Sequence, residues 1–494
     1  MKSSHGNKFV QSAGAILSVL LITVISGCLA VGPDYVRPDT TVNKDWNKKQ
    51  KNDSDKKETD TNNLAAWWNT LGDKRLSILI ERAEKGNLDL KKAQAKIREA
   101  RARRGVAKAG FFPTLNATGS ANRSRSSENL GSNASIGSNV DIGSGTTSDL
   151  YATGFDASWE LDIFGGVRRS VEAAQANLEA SRENMRDVLV TLLAEVAKGY
   201  VDVRTYQARI AIAEENLKTQ EETYQMTVWR NEAGLSDQLA VQQARYNLEN
   251  TRSNMPTLRT GLEEVMNSIA VLLGEQPGKV HEELSKRESI PVAPQNIAVG
   301  VPADILRRRP DIRKAERELA SQTAEIGVVT ADLYPKFTLS GSIGLESIST
   351  GNLLSPGSRN YSFGPSITIP IFSGGSTLQN IEIQSALQEQ YLIAYKTTVL
   401  DALKDVENAL TAYAQEQKRR QALTDAAAVA REAVKLARDE YQSGLIAFSD
   451  VLESERSLLT YEDSLASSEG EVTTNLISLY KALGGGWESA ANNK

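Results

Sequence analysis

In the stretch Tyr151-Ala152-Thr153-Gly154-Phe155-Asp156-Ala157-Ser158-Trp159-Glu160-Leu161 the side chains sort by parity. The odd positions carry Tyr151, Thr153, Phe155, Ala157, Trp159 and Leu161, and the even ones include Asp156, Ser158 and Glu160. A period of two makes a β-strand with one apolar and one polar face. Three more stretches behave alike. Leu115, Ala117, Gly119 and Ala121 alternate with Thr114, Asn116, Thr118, Ser120 and Asn122. Phe337, Leu339, Ile343 and Leu345 stand against Thr338, Ser340, Ser342 and Glu346. Tyr361, Phe363, Ile367, Ile369 and Ile371 stand against Ser362, Gly364, Ser366 and Thr368. Each run has about 9–11 residues, the length with which a tilted strand crosses an outer membrane.

The competing reading is a half-buried strand of a soluble sandwich, in general the commoner kind. It leaves unexplained why four strands come as two hairpins separated by long helices. The connectors 124–147 and 347–360, rich in Ser, Gly and Asn, suit the outer loops of a barrel. In hydrocarbon an unpaired backbone group costs several kcal/mol, so no sheet edge stays open there. Bacterial barrels have at least about 8 strands. Four strands per chain therefore require an oligomer.

The hairpins belong to an internal duplication. Phe111-Phe112-Pro113 recurs as Leu333-Tyr334-Pro335, and Phe164-Gly165-Gly166 as Phe372-Ser373-Gly374-Gly375. Gly234-Leu235 and Leu273-Gly274 recur as Gly444-Leu445 and Leu483-Gly484, both 210 residues on (444 − 234, 483 − 273). The first repeat spans 67–285, with strands at about 112–124 and 149–162 and a long helix pair at 167–274. The second spans 286–494, with strands at about 336–346 and 360–371, a helix pair at 376–484 and a C-terminal tail.

Composition narrows the function. The 57 basic and 62 acidic residues nearly balance, which leaves no footprint for nucleic acid. Two histidines (His5 and His281) and one cysteine (Cys28) cannot build a His/Cys metal cluster and make a histidine-based triad implausible. No catalytic residue and no metal ligand is assigned, and the chain does not read as an enzyme. Lys2 and Lys8 precede an apolar run over 13–25 and then Ser26-Gly27-Cys28, the pattern of a secretory signal peptide at 1–27. Ile25-Ser26-Gly27-Cys28 resembles a bacterial lipobox, which implies a diacylglycerol and an N-palmitoyl group on Cys28; otherwise no cofactor is expected. Leu29, rather than Asp, then favours export to the outer membrane. Residues 28–66 read as a lipidated N-terminal tether, whose polar stretch 43–63 is extended and weakly ordered.

The remainder is helical. No proline interrupts 167–229, giving a helix of about 90 Å. Along it Met185, Leu189, Leu192, Val196, Gly199, Val203, Tyr206, Ile210, Ala213 and Leu217 step by four and three alternately, a heptad seam. Gly234 and Gly444 mark tight turns between antiparallel helices, and Pro256 is expected to kink the partner helix.

With Gly32-Pro33-Asp34-Tyr35, Trp67-Trp68 and Leu71, Arg308-Arg309-Pro310-Asp311-Ile312-Arg313 with Ala315-Glu316, and the strand-flanking motifs above, the whole mature chain resembles the TolC-like outer-membrane factor family, in its OprM-like (NodT-type) efflux lipoprotein branch. The resemblance implies an α+β membrane protein: a homotrimer with a 12-stranded outer-membrane β-barrel, continued by a long periplasmic coiled-coil barrel. It implies a passive exit duct for small molecules. Its partners would be a periplasmic adaptor (membrane fusion) protein and an inner-membrane transporter of the RND type. The arginine block fits a helix start, with Pro310 and Asp311 in the first turn, better than a substrate contact.

The resemblance also assigns a periplasmic gate to Tyr441, Leu445, Phe448, Asp450 and Glu453. Asp450 and Glu453 are three apart and share a helix face, so three-fold symmetry would stack two acidic rings. Ile446 departs from members that carry an arginine there, which leaves Leu445 and Phe448 as an alternative apolar plug. The plain reading makes the two acids first-turn residues favoured by the helix dipole, with Ser449 as cap. In the first repeat Asp237 matches Asp450, but Ala240 replaces Glu453. Gly234, Leu235, Ser236, Gly444 and Leu445 fall where the family docks its adaptor. A periplasmic adaptor lipoprotein is the main rival reading, and it should show one helical hairpin with soluble β-domains instead.

Overall fold

A computed structural model describes residues 30–39, 46, 64–125, 127, 147–292 and 308–488. Cys28, the leader 1–27 and most of the connector 124–147 lie outside these residues. Strands β1 (Thr114–Arg125), β2 (Thr147–Leu161), β3 (Lys336–Ser347) and β4 (Arg359–Thr368) form one antiparallel sheet in chain order. The register keeps parity across all four strands. Leu115 faces Ala157, Ala157 faces Gly341, and Gly341 faces Phe363. One rung up, Ala117, Phe155, Ile343 and Tyr361 form the next apolar row.

That apolar face is bare. Leu115, Phe155, Ile343, Tyr361 and Phe363 are between 54% and 83% exposed. A sandwich strand would bury them, so the sandwich reading fails on this face. The opposite face satisfies itself: Thr118 Oγ1 donates to Asp156 at 2.9 Å, Asn360 Nδ2 donates to Glu346 at 3.0 Å, and the Ser342 and Ser362 hydroxyls lie 3.0 Å apart. Aromatic residues gather at the base of the sheet. Trp159 Nε1 donates to the Phe111 carbonyl at 3.0 Å, and Phe164 stacks on Tyr334 with ring centroids 4.8 Å apart. Such a band is the mark of a membrane–water interface. β4 stops at Thr368 rather than running to Ile371 as the alternation suggests, because Pro370 has no N–H to extend the ladder.

The α-helices among the described residues are α1 (Lys74–Gly86), α2 (Leu88–Ala109), α3 (Gly166–Glu232), α4 (Gln238–Leu272), α5 (His281–Leu284), α6 (Pro310–Ala331), α7 (Ser376–Gln442) and α8 (Phe448–Ala482). The duplication is visible in their lengths: α2 and α6 have 22 residues, α3 and α7 have 67, α4 and α8 have 35. The chain divides into two compact units that do not coincide with the repeats. One holds Met1–Arg37, Arg98–Glu179 and Arg317–Ile393; the other holds Pro38–Ile97, Ala180–Glu316 and Ala394–Lys494.

The second unit has the large core. Trp67, Leu76, Leu193, Ile269 and Leu476 are all at most 1% exposed within it. Each such leucine contributes roughly 1.5–3 kcal/mol through burial. The seam expected along α3 is buried at Leu189, Leu192, Val196, Val203, Ile210 and Ala213. A second line, Leu193, Ala197, Tyr200, Arg204 and Gln207, is buried as well, so α3 is covered on a wider face than one coiled-coil seam. α4 continues through Pro256, which costs it one internal N–H bond but does not end it. The arginine block is structural: Pro310 opens α6, Arg309 grips Asp311 through Nη2 at 2.6 Å and donates to the Ala482 carbonyl at 3.0 Å, and Ile312 is fully buried.

α8 backs onto α3 where Gly470 leaves room; a Cβ there would stand 2.1 Å from Thr205 Oγ1. Beside this crossing the Asp202 carboxyl is pushed up to about 6, first by burial and then by Glu471, against the pull of Lys198. A raised carboxyl contributes stability below its unfolded pKa near 4, and loses it as pH climbs through 6. Asp202→Asn mimics the protonated form, so it should raise the thermal midpoint at pH 8 and leave it unchanged at pH 4. An equal gain at both pH values would contradict this assignment.

Candidate functional site at the helix turns

Two turns join the long helices, 233–237 between α3 and α4 and 443–447 between α7 and α8. Both are glycine C-caps. Gly234 and Gly444 adopt φ of 74° and 75°, left-handed values that a side chain resists. The Leu235 amide reaches back to the Arg230 carbonyl at 2.8 Å, and the Leu445 amide to Glu440 at 2.9 Å. These are six-to-one Schellman bonds, which satisfy carbonyls the helix end leaves free. The other repeated landmarks, Gly274 and Gly484, close α4 and α8 in the same way. Gly234, Gly274, Gly444 and Gly484 are therefore helix stops repeated by the duplication.

The two turns differ in how the next helix starts. Asp237 caps α4 by accepting the Ala240 amide at 2.8 Å. In the second turn the cap position is Ala447, not Ser449, and Asp450 reaches back to accept the Ala447 amide at 3.2 Å. Asp450 so performs a first-turn role while remaining exposed, and Glu453, on the same face, is exposed too. Phe448 does not offer itself as a plug. It is 6% exposed and packs its ring 5.2 Å from that of Tyr441, in a cluster with Val451, Leu452 and Ala240. Ile446 packs against the same cluster. A turn built this way holds Tyr441 inside, where its hydroxyl lies 3.4 Å from that of Ser236, and Arg230 covers its ring at 4.7 Å. Leu235 and Leu445 point outward, 68% and 74% exposed.

The sequence did not single out a polar tie just beyond the cluster. Glu455 is 2% exposed, pairs with Arg438 at 2.7 Å and accepts from Thr223 Oγ1 at 2.8 Å. Arg438 Nη2 also donates to Thr223 Oγ1 at 3.0 Å, so α3, α7 and α8 meet at one charged knot. One signal was available: Glu455 lies seven residues after Phe448 and so continues the buried face of α8.

An apolar-out, polar-in sheet with two open edges, joined in sequence to paired coiled-coil helices, defines a membrane-barrel channel subunit. The family description "Outer membrane efflux protein" matches residues 79–275 and 301–485, and the chain belongs to that family. It is 32% identical over 488 residues to "Nodulation protein T" of Rhizobium leguminosarum bv. trifolii, covering 98% of this chain and 99% of that one. It is 30% identical over 480 residues to "Cation efflux system protein CusC" of Escherichia coli, covering 96% and 99%. Among solved structures, the outer-membrane channel OprN superposes with a TM-score of 0.84 at 33% identity, covering 93% of this chain and 99% of that one. The fold class is that of a trimeric outer-membrane channel: four strands per chain close a β-barrel that long helices continue. The protein is an outer-membrane efflux channel, and the adaptor reading is set aside.

Proposed function

We propose that this channel is the exit duct for drugs or other toxic small compounds, delivered by an inner-membrane transporter of the RND type through a periplasmic adaptor. The observation that carries the duct is the sheet itself. Its apolar face is bare, its polar face is internally hydrogen-bonded, and three copies would close the open edges of β1 and β4. Cys28 would carry the diacylglycerol and palmitoyl groups that fasten each chain to the outer membrane.

The gate belongs to the second turn. Three-fold symmetry sets Asp450 and Glu453 into two acidic rings, whose carboxylates fill the narrowest point and hold the cations that would otherwise pass it. The buried Tyr441–Phe448 pair and the Asp450 bond to Ala447 support this reading, because they fix the turn and hold the Asp450 carboxylate against it. The exposed Leu235 and Leu445, with Gly234, Ser236 and Gly444 shaping the turns, form the surface for the adaptor. Asp450→Ala with Glu453→Ala should raise single-channel conductance in planar bilayers several-fold and admit bulky antibiotics to cells. Conductance equal to that of the parent protein would contradict the acidic gate.

A further inference from the structure

We infer that the first unit contains a docking site for the chain's own N-terminal segment, residues 30–35, built around Arg169, and that this site fixes where a lipid on Cys28 enters the membrane. The second half of the inference rests on the proposed lipidation; the first half does not. The Arg169 side chain is 4% exposed. Its Nε donates to the Val31 carbonyl at 3.1 Å, its Nη2 to the carbonyls of Gly32 at 3.3 Å and Ala30 at 3.5 Å, and to Asp34 at 2.7 Å. Within its own helix the guanidinium is tied to Glu172, through Nη1 at 2.8 Å. A buried cation that spends most of its donors on a segment without helix or strand is arranged as a peptide receptor. Removing the segment would strand that charge.

Shape points the same way. Gly32 has φ of 87°, and a Cβ on it would stand 2.5 Å from Gly327 Cα. A Cβ on Gly327 would stand 2.9 Å from the Val31 carbonyl oxygen, and one on Gly165 2.5 Å from Ala30 Cβ. Three glycines thus clear a slot the width of one backbone. The Val31 amide closes it by donating to the Phe164 carbonyl at 3.0 Å. Phe164 belongs to the aromatic band at the base of the sheet, stacked on Tyr334. Two residues of extended chain reach about 7 Å at most. An acyl group on Cys28 is therefore delivered at the level of the band. The site turns the lipid from a loose leash into a depth gauge for the sheet, and sheets set at one depth can pair edge to edge.

The test uses the full-length protein and a variant in the segment rather than the receptor. Gly32→Val keeps Cys28 and both units intact but cannot enter the slot. Hydrogen exchange over residues 30–39 in the detergent-solubilised trimer should quicken at least about tenfold relative to the parent protein. The fraction of chains recovered as outer-membrane trimers should fall several-fold. Asp34→Ala, which removes one charged partner, should do both to a smaller degree. A Cys28→Ser chain exported without its lipid should keep the slow exchange, since the slot binds peptide and not lipid. Trimers that do form should keep the parent conductance, which separates this inference from the channel reading. Unchanged exchange in Gly32→Val, or loss of protection in Cys28→Ser alone, would overturn the site; faster exchange with undiminished trimer recovery would overturn its role in assembly.

Discussion

Ile343→Arg is expected to abolish recovery of the trimer from the outer membrane, while Ser342→Arg, one residue away, is expected to insert and alter ion selectivity. Ile343 is 65% exposed on the apolar face, in a row with Phe155 and Tyr361. An arginine facing lipid near the midplane costs about 2–4 kcal/mol. Three-fold symmetry repeats that cost three times in one barrel, enough to stop assembly. Ser342 lies on the polar face, where its hydroxyl meets that of Ser362 at 3.0 Å, and an arginine there projects into the lumen. Membrane fractionation with unheated gel electrophoresis reads both variants. Insertion of both, or of neither, would show that the two faces do not divide lipid from lumen.

The second large effect is expected in the helical unit. Arg204 is fully buried and donates to Gln207 at 2.8 Å, the Lys286 carbonyl at 2.8 Å, Tyr200 Oη at 3.0 Å and Glu288 at 2.7 Å. Tyr200 in turn donates to Asp73 at 2.6 Å, the residue that caps α1. Burial, ahead of the bond to Asp73, holds the Tyr200 hydroxyl well above its ordinary range, so it stays a donor at any working pH. Breaking such a knot by removing one partner costs about 3–5 kcal/mol. Arg204→Ala should therefore lower the thermal midpoint sharply in detergent, followed by far-ultraviolet circular dichroism. Glu288→Gln keeps a hydrogen-bonding partner, and Glu288 is one-third exposed, so its effect should be much smaller. Equal losses in the two variants would contradict a buried-cation account.

Much of the fold was legible because its rules are local. Strand parity is written residue by residue, and the left-handed turn at Gly234 needs glycine wherever it occurs. The identical lengths of α3 and α7 follow from the spacing of those landmarks. What escaped notice depends on partners distant in sequence. Residues 30–35 read only as a motif inside the N-terminal tether, yet Arg169, far along the chain, binds them. Arg204 and Glu455 look like surface charges until the second buried line of α3 and the continuation of α8's apolar face are counted. Phe448 looked free to plug a lumen because its neighbour in space, Tyr441, sits across a turn.

The most direct measurement places single cysteines at Ser342 and Ile343 in outer-membrane vesicles, in a Cys28→Ser background compared with the parent so that no native thiol competes. A charged maleimide should modify Ser342→Cys through the water-filled lumen and spare Ile343→Cys, which should instead react with a membrane-soluble probe. Modification of Ile343→Cys by the charged reagent at a rate equal to or above that of Ser342→Cys would contradict a trimeric barrel with its apolar face in lipid.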